Sequence, residues 1–255
     1  MKILNFVIGG RTGDLIHNLM VVKSLCKTNK AKANIFLSHN HGGDLFYKSL
    51  EETLNDLSPL INYQPYINSF KLYTDEPIQY NLNQWRNSSL FMKQNWIKIL
   101  TNLYSIPPPN DKWIEFDKIK DNRINNKIII HRSDRRHNPN FPWESIIKNN
   151  DCLFVYTEKS ELDFFPFKDI VESHHCGTFS ELVSMINNGK FFIGNMSTPL
   201  SLSHALGKPR LAELYITDQV HYLGEEFFLN NYFYIGHSTY SYIDGVEKYI
   251  KLEVN

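Results

Sequence analysis

The start of the chain follows the pattern of a parallel βαβ unit, and this pattern constrains the fold more than any other feature. An apolar run at 3–8 stops at Gly9-Gly10, as a buried parallel strand does. Apolar residues then recur at helical spacing over 13–26, and a second apolar run follows at 33–38. Strand, helix and strand within about 35 residues predict a right-handed parallel βαβ unit.

The same alternation continues through both halves of the chain. The first half is predicted to contain further helices at 44–57 and 84–103 and a short strand at 70–73. Three consecutive prolines at 107–109 and a polar stretch at 118–127 then break the pattern.

After this break the sequence predicts a second set of strands and helices. The predicted strands are 127–131, 152–156, 170–171, 190–193 and 210–214. The predicted helices are 142–148, 160–164, 179–187 and 199–206, the third with Thr178 as N-cap and Glu181 as its capping-box partner. Repeated βα units predict an α/β fold with two doubly wound parallel sheets, in domains 1–120 and 121–255, with ligands at the carboxyl ends of the strands.

Composition excludes several classes of protein. Lys plus Arg and Asp plus Glu both number 27, so no overall charge favours nucleic acid as a partner. The cysteines Cys26, Cys152 and Cys176 form no CxxC pair, which argues against a disulfide framework or structural zinc and fits a reducing compartment. No apolar stretch approaches the ~18 residues of a membrane span. We therefore predict a cytoplasmic protein, with contact to a membrane-bound substrate left open.

The glycine-rich turn at 9–13 matches neither GxGxxG nor GxxxxGK[ST], so a dinucleotide or nucleotide-triphosphate loop is a weak interpretation. Asp14 follows this turn near the predicted helix start. It could be a helix cap, favoured there by the macrodipole. It could also face the crevice above the sheet and accept a proton from a hydroxyl. Spacing leaves both interpretations open.

Two segments in the second half could bind phosphate. At 194–200 a predicted strand ends in a hydroxyl-rich turn, and Pro199 lies near the first helical position, so free N–H groups could hold a diphosphate. Ordinary strand-to-helix capping is the alternative. After the predicted strand at 127–131, Arg132, Arg135 and Arg136 could clamp phosphate oxygens, or form a solvated charged loop.

No metal site is predicted. His174 and His175 are adjacent, so both cannot easily face one ion, and Cys176 follows them with no evident third ligand. His17 and His204 lie on predicted helices, where packed or surface histidines are more usual than ligands.

In chain order, three segments resemble the bacterial heptosyltransferase family of glycosyltransferases, which transfer a sugar from a nucleotide sugar to a lipopolysaccharide core. They read RTGDLIHNLMVVKSL, IIIHRSDRRHNPNFPWESII and IGNMSTPLSLSHALGKPRLAELY. The third matches the family signature at Gly194, Asn195, Ser197, Pro199, Ala205, Leu206, Gly207 and Pro209.

The resemblance implies a GT-B architecture of two facing Rossmann-like domains, with the acceptor mainly on the first and the donor on the second. Asp14 would be the general base. The implied donor-binding residues are Arg132, Arg135, Arg136, Asn195, Ser197, Thr198, Pro199 and Leu200. The implied acceptor-side residues are Arg11, Gly13 and His17.

The resemblance therefore predicts an inverting, metal-independent glycosyltransferase without a cofactor, using a nucleotide-diphosphate sugar and a glycan or lipid-linked glycan acceptor. The chain departs from the family signature at Met196, Thr198 and Ser201, where the family has aspartate, glycine and histidine. These departures favour an alternative, a catalytically inactive module that binds a nucleotide or glycan. A hydrolysing nucleotide-sugar epimerase would need more acidic and histidine residues in the cleft than the sequence supplies.

Overall fold

The computed structural model describes residues 2–39, 49–91, 93–117, 122–215, 231–234 and 248–251. In these residues the chain forms two compact units, an N-terminal unit that ends at Glu115 and a C-terminal unit that begins at Phe116. The predicted boundary after residue 120 lies outside the described residues.

The N-terminal unit contains a four-stranded, wholly parallel sheet in the order β3-β2-β1-β4. Its strands are β1 (Lys2–Ile8), β2 (Ala31–Leu37), β3 (Ile67–Leu72) and β4 (Tyr80–Asn81). Its helices are α1 (Thr12–Asn29), α2 (Leu50–Ile61) and α3 (Trp96–Tyr104). The predicted parallel βαβ unit is thus confirmed, because β1 and β2 pair in parallel across α1.

The predicted helix at 84–103 is wrong in extent. Gln84–Asn87 forms a 3₁₀ turn, and Ser88 then adopts an extended conformation (φ −66°, ψ 138°) that ends it. Helix α3 starts anew because the Asn95 side chain caps it, accepting a 2.9 Å hydrogen bond from the Lys98 amide. The predicted helix at 44–57 lies partly outside the described residues, and its described part starts at α2 behind a Ser49 cap.

The C-terminal unit contains a six-stranded parallel sheet in the order β10-β9-β8-β5-β6-β7. Its strands are β5 (Ile128–His131), β6 (Cys152–Tyr156), β7 (Glu172–His175), β8 (Phe191–Asn195), β9 (Arg210–Glu213) and β10 (Asn231–Tyr234). Its helices are α4 (Trp143–Asn149), α5 (Lys159–Asp163), α6 (Phe179–Asn188) and α7 (Thr198–Ala205). The α/β fold class is confirmed in both units.

Two local predictions in this unit need correction. The strand expected at 170–171 lies instead at β7, an edge strand of polar and largely exposed residues that hydrophobic patterning does not detect. Thr178 does cap α6 through the Glu181 amide (3.1 Å), as predicted. The Glu181 carboxylate, however, accepts from the Gly177 amide (2.8 Å), one residue before the cap.

Strand order places a topological switch point in each unit. In the N-terminal unit the chain passes from β1 to β2 and β3 on one side and reaches β4 on the other side of β1. In the C-terminal unit it passes from β5 to β6 and β7 and returns to β8 on the other side of β5. In open α/β sheets, ligands bind beyond the carboxyl ends of the strands at such points. The switch points therefore lie between β1 and β4 and between β5 and β8.

Candidate functional site

The turn after β1 shows how the sequence places Asp14. Gly10 adopts φ 87°, in the left-handed region that favours glycine, and so turns the chain from β1 toward α1. Arg11 occupies the N-cap position in an extended conformation and makes no side-chain cap hydrogen bond. Helix α1 begins at Thr12, so Asp14 lies in the first turn at the carboxyl end of β1.

Asp14 lies in the first turn of α1 and not at its N-cap position, which Arg11 occupies, and the Asp14 carboxylate accepts a hydrogen bond from the Arg11 amide. The same carboxylate also pairs with the guanidinium of Arg86, and only 16% of the Asp14 side chain is exposed. Burial raises the pKa of Asp14, while the charges of Arg86 and Arg11 oppose that rise. The position in the first helical turn remains favourable for a negative charge.

No sequence pattern indicated that Arg86 pairs with Asp14, since Arg86 belongs to no motif and lies 72 residues from Asp14. It follows β4, on the 3₁₀ turn Gln84–Asn87. The carboxyl ends of β1 and β4 meet at one edge of the sheet, and this brings Arg86 to Asp14. The predicted base and a residue that sequence analysis missed therefore meet at the switch point of the N-terminal unit.

The three predicted acceptor-side residues differ in exposure. His17 is 3% exposed and stacks on Trp96, with ring centroids 5.6 Å apart and an interplanar angle of 12°. This burial corrects its assignment to the acceptor side, because a packed imidazole offers no surface to a sugar. Arg11 and Gly13 are partly exposed at the start of α1, and their acceptor role stays a prediction.

In the C-terminal unit, Arg132 makes a buried ion pair. Its Nε and Nη2 donate to the two carboxylate oxygens of Glu213 at 2.9 and 2.8 Å, and the Glu213 side chain is fully buried. Glu213 Oε1 also accepts from the Asn138 amide at 2.8 Å. Sequence analysis missed Glu213, which ends β9. Because its guanidinium fork is directed at Glu213, Arg132 fits a structural role better than the predicted phosphate contact.

The Asn195 side chain is hydrogen-bonded to the arginine loop, defined as residues 132–137. Asn195 ends β8 and is fully buried. Its Oδ1 accepts from the Ser133 amide at 3.0 Å, and its Nδ2 donates to the Arg135 carbonyl at 2.6 Å. The predicted donor-binding asparagine therefore uses its side chain to join the loop after β5 to the end of β8.

We expect Asn195→Ala to loosen this loop. The Ser133 amide and the Arg135 carbonyl would lose their partner, which should lower the free energy of unfolding by about 1–3 kcal/mol. Amide hydrogen exchange should show faster exchange at Ser133. Ser133→Ala removes the hydroxyl that contacts Asn195 at 3.1 and 3.3 Å but keeps the Ser133 amide and Arg135 carbonyl bonds, so it should leave the loop better protected than Asn195→Ala does. Unchanged protection of the Ser133 amide in Asn195→Ala would contradict the proposal that Asn195 holds the arginine loop in place.

The two remaining arginines of the loop are partly exposed. Arg136 has φ 59°, a left-handed conformation that is uncommon for a residue with a side chain, and Arg135 precedes it. The loop backbone is thus specifically shaped at the carboxyl end of β5. Of the three predicted arginines, Arg135 and Arg136 keep the phosphate-binding role as a prediction.

Helix α7 starts at the neighbouring strand end, as predicted. Ser197 is its N-cap residue, although the Ser197 hydroxyl donates to the Asn195 carbonyl at 3.0 Å and caps no amide. Thr198 and Pro199 are the first helical residues. The first turn of a helix has amides without intrahelical acceptors, and Thr198 and Leu200 supply them here because Pro199 has none. The Leu200 side chain is buried, so this residue could offer a ligand only its backbone.

Within the described residues, no group of three His, Cys, Asp or Glu side chains is placed to hold a metal ion. His174 pairs with Glu181 at 2.9 Å, and His175 contacts the Thr157 carbonyl at 3.2 Å. Among the helices of the same residues, none is long and apolar enough to cross a membrane.

Comparison with solved structures identifies the fold. A family 9 glycosyl transferase from Veillonella parvula matches with a TM-score of 0.58 and 10% identity, over 97% of this chain and 90% of that one. ADP-heptose lipopolysaccharide heptosyltransferase II of E. coli matches with a TM-score of 0.55 and 11% identity, over 92% and 90%. The iron-containing dodecameric glycosyltransferase TibC of enterotoxigenic E. coli matches with a TM-score of 0.56 and 14% identity, over 83% and 59%.

No protein-family model and no curated protein sequence matches the chain. The protein therefore has the GT-B fold class that its motifs predicted, as two Rossmann-like α/β units. More particularly, its fold is similar to that of heptosyltransferases, at sequence identities that establish the fold alone.

Proposed function

We propose that the protein is an inverting glycosyltransferase that moves a sugar from a nucleotide-diphosphate sugar to a hydroxyl of a glycan. The observation that carries this proposal is the position of Asp14, a largely buried carboxylate at the switch point of the N-terminal unit. Similarity in fold to glycosyltransferases supports the reaction class. The proposed acceptor includes lipid-linked glycans of the lipopolysaccharide type, presented at the inner face of a membrane.

In this proposal Asp14 is the general base. It takes the proton from the acceptor hydroxyl as the oxygen attacks the anomeric carbon from the face opposite the nucleotide. The bond from the anomeric carbon to the diphosphate oxygen breaks, and the sugar configuration inverts. Arg11 and Gly13, beside Asp14 at the start of α1, are the proposed acceptor-side contacts.

The C-terminal unit is proposed to hold the departing diphosphate. Arg135 and Arg136 would place positive charge on it, and the amides of Thr198 and Leu200 would donate hydrogen bonds to its oxygens. Arg132 and Asn195 would act indirectly, by shaping the loop that carries Arg135 and Arg136. Fixed donors of this kind stabilise developing negative charge, so we propose that the transfer needs no metal ion.

The second candidate is a module of the same fold that binds a nucleotide sugar without transferring it. Its support is the sequence signature around the start of α7, where Met196 stands in place of the family's aspartate. Ser201, in place of histidine, directs its hydroxyl at the Ser197 carbonyl (3.4 Å), within its own helix. Neither residue offers the charge that the family uses at these positions.

Donor binding and transfer separate the two candidates. The protein should be screened by thermal unfolding against ADP-heptose and against the common ADP-, UDP- and GDP-sugars. ADP-heptose is included because TibC was solved in complex with ADP-D-beta-D-heptose. A ligand at about 100 times its Kd should raise the free energy of unfolding by about 2.7 kcal/mol.

Donors that stabilise the protein should then be incubated with glycan acceptors, and released nucleoside diphosphate and product measured. We expect transfer that persists in EDTA. Loss of transfer in EDTA with recovery on adding Mg²⁺ would refute metal independence. Binding without transfer would support the module, and no stabilisation by any nucleotide sugar would refute both candidates.

A further inference from the structure

The turn that carries Arg86 is attached to the strand that precedes Asp14. The Leu82 amide donates to the Val7 carbonyl at 2.9 Å, and Asn83 Oδ1 accepts from the Gly9 amide at 3.0 Å. Asn83 is buried in this contact. The loop after β4 and the loop after β1 are therefore held together by backbone and buried side-chain hydrogen bonds, independently of the ion pair that they carry.

The Arg86 guanidinium also lies close to an aromatic ring. Its central carbon lies 4.3 Å from the ring centroid of Trp85. Trp85 is 2% exposed and packs edge-on against Trp96, with 4.1 Å between ring centroids. Arg86 itself is 28% exposed. A solvated surface arginine would keep its rotamer freedom, whereas this one is oriented toward a single carboxylate.

A positive partner favours the ionised form of Asp14. Burial raises the pKa of its carboxyl group, and the Arg86 charge is the strongest opposing influence, followed by the Arg11 charge. The nearest titratable group further along α1 is His17, which is packed against Trp96 and Trp113. Without Arg86 the pKa of Asp14 would rise further, which favours the protonated acid, and a protonated acid cannot accept a proton from a hydroxyl.

We propose that Arg86 is a positioning residue that aims the Asp14 carboxylate and favours its ionised form for proton transfer. The proposal rests on the proposed role of Asp14 as base. Arg86 acts through Asp14 and need not touch the reacting atoms. The planar fork of arginine suits this task better than lysine, because it can bond the carboxylate while its central carbon stays near the Trp85 ring.

The test measures the ionisation of Asp14 directly. Aspartate carboxyl carbons are labelled with ¹³C, and the Asp14 resonance is assigned by its loss in Asp14→Asn. Arg86→Gln should raise the pKa of Asp14 by about 1–3. Arg86→Lys, which keeps the charge and loses the fork, should raise it less. The backbone amide spectrum of each variant reports whether the unit is folded.

Lys23→Gln is the matched control. Lys23 lies on α1, the helix that carries Asp14, and the variant removes one positive charge, as Arg86→Gln does. Lys23 pairs with Asp111 at 3.6 Å rather than with Asp14. The pKa of Asp14 should stay at its wild-type value in this variant. An unchanged pKa in folded Arg86→Gln, or equal rises in Arg86→Gln and Lys23→Gln, would overturn the proposal.

A transfer assay provides the second readout. In Arg86→Gln the acidic limb of the pH profile of kcat/KM should move to higher pH by the same amount as the pKa of Asp14. An acidic limb that stays in place while transfer persists would overturn the positioning role. The carboxyl measurement needs no substrate. A pKa rise in a protein that transfers no sugar would therefore refute the proposed function while confirming that Arg86 favours the ionised form of Asp14.

Discussion

Replacing Asp14 with asparagine is expected to lower kcat/KM for sugar transfer about 10²–10⁴-fold, the usual contribution of a general base. Asparagine has nearly the shape of aspartate but cannot accept the hydroxyl proton. The affinity for the nucleotide sugar should be unchanged, because the proposed donor contacts all lie in the C-terminal unit. Steady-state transfer and donor titration by calorimetry would measure the two quantities separately.

Asp111→Asn is the control for this prediction. It removes the same charge from the N-terminal unit at a side chain that is 69% exposed, and it should leave transfer at the wild-type rate. Asp14→Asn transferring within about twofold of wild type would refute the base assignment, since a general base contributes about 10²-fold or more. Weaker donor binding in Asp14→Asn would contradict the division of roles between the units.

Truncation of Glu213 is expected to have the largest effect on stability. In Glu213→Ala the guanidinium of Arg132 keeps its burial but loses both carboxylate oxygens, and the Asn138 amide loses its acceptor. Breaking a buried ion pair from one side costs about 3–5 kcal/mol. Urea unfolding should show this loss, and the arginine loop should exchange its amide protons faster.

The double variant Arg132→Met/Glu213→Leu distinguishes the effect of an unpaired buried charge on stability from the effect of packing around it. Removing both charges leaves no buried charge unpaired, so most of the stability lost in Glu213→Ala should return. If Glu213→Ala costs less than about 1 kcal/mol, the pair is not the buried link that its geometry indicates. If the double variant is as unstable as Glu213→Ala, packing or the lost acceptor of the Asn138 amide, rather than the unpaired charge, accounts for the loss.

Patterns within single segments predicted much of the fold. The strand β1 and the helix α1 were predictable from the spacing of apolar residues. A buried strand appears as a short apolar run, and a helix with one buried face has apolar residues at helical spacing. The break inside the predicted helix 84–103 was not, because the extended Ser88 and the Asn95 cap have no strong hydrophobic signal. The edge strand β7 was missed for a similar reason, since its residues are polar and mostly exposed.

The sequence by itself determined the βα alternation, the glycine turn before Asp14 and the hydroxyl-rich start of α7. These depend on neighbours along the chain. Only the tertiary structure decided the partners of Asp14 and Arg132, because Arg86 and Glu213 reach them through strand order across 72 and 81 residues. Parallel sheets bring the carboxyl ends of distant strands together. The spacing of residues within one segment does not show which charged side chains will meet there.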